Sequence, residues 1–357
     1  MKTQSIGYSN DVVPIGIDSF SNLRLTAVTF QTMPTSTSSF ADWIKPPIED
    51  VWLLTGPTAS GKSSVAIHLA SAIDAEIISV DSMAVYRGMD IGTAKPTCDQ
   101  RERVPHHLID VVEPTCDYSV SQFVMDAHAK ADEIRSRGRK VLLVGGTPLY
   151  LKTLMCGMFL GPPADWEFRA AVEADVAEFG IESLRRRLEQ VDPLSAFKIL
   201  AGDVRRMTRA LEVAKITGRP LSHWQNQFER MAQPRGCKSF VLAWERSALH
   251  QRVNRRVDEM FQRGLLNEVE TLMTKHGQLG RTASQAVGYK EPIEFLSGLV
   301  DRPSMIEKVK AHTRQFVRRQ EIWFRSMPMI ERLHIGSEKD LERAASEAMT
   351  TLSRSQA

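Results

Sequence analysis

The sequence predicts an α/β fold: a P-loop core with a parallel sheet flanked by helices, plus an all-α insertion. Three observations lead there. Short apolar runs alternate with segments of helical spacing over residues 51–155, the pattern of strand–helix–strand units. A Gly-rich octapeptide, Gly56-Pro57-Thr58-Ala59-Ser60-Gly61-Lys62-Ser63, stands between the first apolar run and the first helical segment. From Trp166 to about Arg235 the spacing is helical throughout.

Val51-Trp52-Leu53-Leu54 reads as a buried strand feeding the Gly-rich turn, and 63–73 as the helix that the turn opens (Val65, Ile67, Leu69, Ala70, Ile73). A second buried strand, 76–80, ends on Asp81, where ligands sit in open α/β sheets. Residues 81–96 form a long polar, Gly-containing loop, a functional candidate by its length alone. A strand over 107–112 follows, then a helix over 121–137 capped by Ser119 or Ser121. A buried strand from Lys140 runs into a second turn, Gly145-Gly146-Thr147, before a helix over 149–155. Gly161-Pro162-Pro163 opens the insertion, with helix breaks at Asp192-Pro193 and Gly218-Arg219-Pro220. The sheet resumes at 239–243, followed by helices over 247–275 and 308–325. The expected organisation is an extension without order over 1–48, core over 49–160, insertion over 161–236, core again over 237–335, and a C-terminal tail over 336–357.

Composition bounds the class. With 357 residues, 42% of them hydrophobic and 25% charged, the chain suits a soluble globular protein of one large or two modest domains. No stretch approaches the ~18 apolar residues of a membrane span. Residues 1–48 lack the basic start and apolar stretch of a secretory signal. Cys98, Cys116, Cys156 and Cys237 show neither C-x-x-C spacing nor a paired histidine motif, which argues against a zinc module and fits a reducing, cytoplasmic setting. A net charge of +3 does not itself argue for nucleic acid. Three basic segments do point to a polyanion: Arg205, Arg206, Arg209, Lys215 and Arg219; Arg252, Arg255, Arg256 and Arg263; Arg314, Arg318, Arg319 and Arg325.

The octapeptide carries chemistry. Backbone N–H groups of the turn and first helical residues converge on one spot, and the helix dipole adds positive charge there. Lys62 contributes a point charge, and the Ser63 hydroxyl is placed to hold Mg²⁺. Such a loop binds a di- or triphosphate. Asp81 has two readings: a Mg²⁺ ligand in a kinase-like site, or a base that takes a proton from an attacking group.

The loop, Ser79-Val80-Asp81-Ser82, the run from Tyr86 to Pro96, and Val144-Gly145-Gly146-Thr147 together resemble the tRNA dimethylallyltransferase (tRNA isopentenyltransferase) family. Arg206-Met207-Thr208-Arg209 with Ala210-Leu211-Glu212-Val213, Val287-Gly288-Tyr289-Lys290-Glu291, Thr313-Arg314-Gln315 and Arg319-Gln320 add to the likeness, which covers roughly residues 50–330. Without a C-terminal zinc finger the chain resembles the bacterial type. The resemblance implies transfer of a dimethylallyl group from dimethylallyl diphosphate to N6 of the adenosine beside a tRNA anticodon, with Mg²⁺ on Ser63; a monomer is the default expectation. It implies a Thr58 hydroxyl at the bridging oxygen, Arg256 closing on the diphosphate from a lid helix, and Asp81 as base. It further places Asp81, Ser82, Met83 and Ala84 with Gln285, Ala286, Val287, Gly288, Tyr289 and Lys290 around the extruded base. Thr147, Arg169, Arg205, Arg206, Met207, Thr208 and Arg209 are implied as further tRNA contacts. A P-loop small-molecule or nucleoside kinase, and a non-catalytic RNA-binding P-loop protein, are the competing readings.

Overall fold

The computed structural model describes residues 44–225 and 234–354. It contains two compact units, the insertion Phe159–Arg230 and a core formed by Pro46–Met158 with the chain from Met231 onward. The expectation for residues 1–43 lies outside the described residues. Residue 48, expected to be disordered, belongs to the core: Ile48 is buried and its N–H donates to Leu154 O at 2.8 Å.

The core is built on six parallel strands: β1 Val51–Thr55, β2 Ala75–Val80, β3 His106–His107, β4 Lys140–Gly145, β5 Lys238–Trp244 and β6 Glu331–Ile335, in the order β3-β2-β4-β1-β5-β6. Every residue of β1 and β2 is buried, as expected of a parallel sheet covered on both faces. The register sets Thr55 and Val80 both opposite Gly145, so three strands end at one level. That level lies beside β1, where the chain order reverses and ligands bind in this architecture. The approach there is close. A Cβ on Gly145 would lie 2.0 Å from Val80 O, so only glycine fits between the strand ends.

Several boundaries differ from expectation for local reasons. The strand expected over 107–112 stops at His107, because Leu108 and Asp110 adopt positive φ (59° and 57°) that no strand accommodates. Val111 and Val112 bond Val85 O instead. The helix is Val120–Ser136, with Ser119 as its cap. The expected single helix over 247–275 is two, Arg246–Gln262 and Leu265–His276, separated by Gly264 at φ 96°. The helix expected from Lys308 begins earlier, as Arg302–Arg325, because the Asp301 carboxylate accepts Ser304 N at 2.7 Å. Residues 336–354 are more than a tail. Helix Asp340–Arg354 buries Ala344, Ala345 and Ala348 against Val65 and Leu69 of helix Lys62–Ile73 and against Leu333. Among the described residues no helix is long and apolar enough to cross a membrane.

The insertion holds helices Trp166–Phe179, Ile181–Val191, Pro193–Lys198, Val204–Thr217 and Leu221–Trp224 around its own core of Phe168, Val172, Leu184, Leu188, Met207 and Leu211. Phe159 stacks on Trp224 with centroids 4.7 Å apart, so the unit opens slightly before residue 161. At the far boundary Arg235 already belongs to the core, its carbonyl accepting Asp50 N at 2.9 Å.

Gly145→Ala forces β2 and β4 apart and is expected to cost about 3 kcal/mol or more. Urea denaturation checks this; an unchanged midpoint would mean that the strand ends relax without penalty.

Candidate active site

The 56–63 loop leaves β1 and enters helix Lys62–Ile73 through Gly61, whose φ of 88° suits only glycine without strain. Trp244 Nε1 donates to Ser60 O at 2.9 Å and Arg252 Nε to Ala59 O at 2.8 Å, fixing the turn's carbonyls. Lys62 Nζ donates to Gly56 O (2.9 Å) and Pro57 O (2.8 Å). Burial and the nearby Arg256 charge pull the Lys62 ammonium down to about 7, while Asp81 pulls the other way.

Gln320 is the residue that sequence reasoning left without a role. It is buried in helix Arg302–Arg325, accepts Thr58 N at 2.9 Å through Oε1, and donates from Nε2 to Gly146 O at 2.6 Å. One side chain therefore joins the phosphate loop to the second glycine turn. A signal was present: Gln320 interrupts the apolar stripe Val309, Val317, Phe324 at helical spacing, where a polar residue must have buried partners. Because the turn is held through Thr58 N, the Thr58 hydroxyl is not needed to close it.

Asp81 stands at the end of β2. Its Oδ1 accepts Met83 N (2.8 Å) and Ala84 N (3.2 Å), an Asx turn that orients the carboxylate and leaves Oδ2 out of the turn. Ser82 N donates to Thr147 Oγ1 at 3.1 Å, tying the same turn to the Gly145-Gly146-Thr147 segment. Thr58, Lys62, Ser63, Asp81 and Arg256 all line one cavity of about 400 Å³, within the usual range for ligand sites. Arg256 comes from helix Arg246–Gln262. Burial pushes its guanidinium down, and the Asp81 charge is the main opposing influence. Its Nε is buried without a hydrogen-bond partner among the described residues.

The loop after Asp81 is ordered by two internal charges. Lys95 Nζ reaches Tyr86 O (2.6 Å), Asp90 (2.7 Å) and Asp110 (2.5 Å). The Glu268 carboxylate accepts Asp90 N (3.0 Å), Ile91 N (2.7 Å) and the Tyr289 hydroxyl (2.6 Å).

The residues expected around tRNA separate into two groups. In the core, Gln285 is exposed and Val287 and Lys290 are half-buried, but Ala286, Gly288 and Tyr289 are buried. Tyr289 thus acts inside the fold, through Glu268. In the insertion, Arg169 and Arg209 are drawn onto Glu212, which is fully buried. Arg169 meets it with two hydrogen bonds (2.8 and 2.9 Å), and Arg209 meets it at 2.5 Å while also donating to Pro162 O. Burial raises the Glu212 carboxyl, but these bonds outweigh it and hold the group below the usual carboxylate range. Met207 and Thr208 are core residues. Arg205 and Arg206 remain exposed, Arg206 beside Asp203 at 3.3 Å. Arg209, implied as a tRNA contact, has a structural partner in Glu212, whereas Arg206 stays exposed.

A Gly-rich loop of this kind at the switch point of a parallel sheet, with a carboxylate and a buried arginine facing it, defines the class: a P-loop protein. Residues 84–327 match the IPP transferase family. The chain is 49% identical over 296 residues to the tRNA dimethylallyltransferase of Rhodopirellula baltica, covering 81% of this chain and 89% of that one. A full-length tRNA isopentenylpyrophosphate transferase from Bacillus halodurans superposes with a TM-score of 0.63 at 35% identity, covering 86% of this chain and 98% of that one. A eukaryotic dimethylallyltransferase solved acting on tRNA gives a TM-score of 0.71 at 27% identity, covering 86% and 79%. The chain belongs to the IPP transferase family.

Arg169→Ala leaves part of Glu212's charge buried and unpaired, and is expected to destabilise by about 3 kcal/mol, whereas Arg206→Ala stays within about 0.5 kcal/mol. Denaturation of both variants compares them; equal effects would remove the distinction. The lowered Lys62 value also has a signed consequence. With a free-protein value near 7 against 10.5 unfolded, Lys62 adds stability as pH rises through that window. At pH 8, polyphosphate binding should recharge it and draw up close to one proton more than in Lys62→Met. Titration calorimetry in buffers of different ionisation enthalpy measures this difference, which should shrink at pH 6. Equal uptake at pH 8 would contradict the assignment.

Proposed function

We propose that this protein transfers a dimethylallyl group from dimethylallyl diphosphate to N6 of the adenosine beside a tRNA anticodon, releasing diphosphate. The observation that carries this reading is the shared cavity: the phosphate loop and the Asp81 carboxylate open onto the same space. A donor diphosphate on the loop would stand beside the Asp81 carboxylate at the end of β2. In the reaction the N6 nitrogen forms a bond to C1 of the dimethylallyl group as the C1–O bond breaks. Asp81 accepts the proton lost from N6, and the bonding pair leaves with the diphosphate. The Thr58 hydroxyl donates to the departing bridging oxygen, and Lys62 and Arg256 stabilise its growing charge. The adenine must be unstacked to reach Asp81, which anticodon-loop bases allow at modest cost. Arg205 and Arg206, exposed on the insertion, would meet phosphates, as could the exposed Arg219 of the same basic segment.

The donor set suits Mg²⁺. Ser63 offers an exposed hydroxyl in the cavity, a hard oxygen donor of the kind Mg²⁺ takes alongside phosphate and water. Held by the Ser63 hydroxyl, Mg²⁺ would supply charge stabilisation to the diphosphate oxygens.

Asp81→Asn keeps an acceptor for Met83 N and Ala84 N, so the turn should survive while the base is lost. Transfer of label from dimethylallyl diphosphate to unmodified tRNA is expected to slow by at least about a hundredfold, with tRNA affinity within a few-fold. Near-normal turnover would exclude Asp81 as base. Phosphate moving from γ-labelled ATP, with none of the prenyl label reaching tRNA, would favour a kinase.

A further inference from the structure

Residues 336–341 lie beyond the 84–327 stretch matched by the family, yet they reach the phosphate loop. Leu341 sits so close to Gly61 that a Cβ there would be 2.8 Å from its Cδ1. The Asp340 carboxylate accepts Gly336 N (3.1 Å) and Ser337 N (2.8 Å), which fixes the turn that presents Glu338. Glu338 Oε1 accepts Arg252 Nη1 at 2.5 Å and also bonds Arg255 Nη2. Both arginines line the cavity with Arg256 and Lys62. Arg252 is further held by Ala59 O and by stacking over Trp244, 4.5 Å from the ring centroid.

We propose that Glu338 is an internal counter-anion of the donor site: it holds Arg252 and Arg255 when no diphosphate is bound, and so weakens the hold on diphosphate. The proposal rests on the reading that a prenyl diphosphate occupies the loop. Three guanidinium groups facing one small cavity repel each other, only partly offset by Asp81 and Glu259 in the same lining, and a carboxylate between two of them stabilises the ligand-free state. A diphosphate brings its own negative charge, after which Glu338 becomes a like-charge neighbour. A contact that favours the free state over the bound state lowers affinity by that difference. The benefit falls on turnover, because diphosphate is also the product that must leave.

The test measures binding of inorganic diphosphate with Mg²⁺ to the full chain by calorimetry, for the wild type, Glu338→Gln and Glu338→Asp. Glu338→Gln is expected to bind about fivefold tighter at low salt, the scale of a partly exposed ion pair, with the gain fading as salt rises. Its KM for the prenyl donor should fall while kcat stays level or drops, a split that a merely structural role for Glu338 would not produce. Glu338→Asp, which preserves the charge on a shorter arm, should fall between the two and serves if the Gln variant does not fold. Affinity equal to or weaker than wild type in the folded variants overturns the proposal. A wild type that binds no diphosphate removes the donor assignment as well.

Discussion

The site depends on one amide side chain at the convergence of two glycine turns. Gln320 offers an acceptor to Thr58 N and a donor to Gly146 O, and no apolar residue of similar volume could satisfy both. Each of these backbone groups lies in a glycine turn beyond the end of its strand, so neither has a sheet partner to lean on. A buried amide with both ends satisfied turns two loops into one rigid wall. The pairing of Thr55 with Gly145 brings the two turns that Gln320 joins to the same level. Asp81 gains from the same framework, because its turn is tied to Thr147 on the segment that Gln320 holds.

The local parts of this arrangement are legible in the sequence. The apolar runs of β1, β2 and β4 read as buried strands because parallel sheets are covered on both faces, and the octapeptide declares its turn through Gly56 and Gly61. Asp81 is legible as a strand-end acid. Partnerships over distance are not. Thr58 and Gln320 are 262 positions apart, and spacing rules reach only three or four residues along a helix. Charge was the least informative signal. Arg205, Arg206 and Arg209 look alike in the chain, yet only Arg209 finds a buried carboxylate. Glu212 settles that difference: it is fully buried on the helix that also buries Met207, Leu211 and Val213. The misread strand at 107–112 failed for another reason: side-chain polarity does not report the positive φ of Leu108 and Asp110.

In the insertion, the Arg169–Glu212–Arg209 group shows why a basic segment should not be equated with a binding surface. A fully buried carboxylate needs two guanidinium forks and the Asp165 N–H to offset its desolvation. Those arginines are committed to shape. The exposed pair at 205 and 206 presents charge without such commitments, and the cap of their helix, Asp203 accepting Arg206 N at 3.1 Å, is local to them.

Helix Asp340–Arg354 lies on helix Lys62–Ile73, so the helix that follows the Gly-rich loop is covered by a segment far downstream in the chain. During translation the octapeptide leaves the ribosome long before Leu341 exists to cover Gly61. A nascent chain can therefore bring β1, β2 and β4 together while Gly61 is still uncovered, and the surroundings of the Gly-rich loop are completed only by residues made far downstream of it.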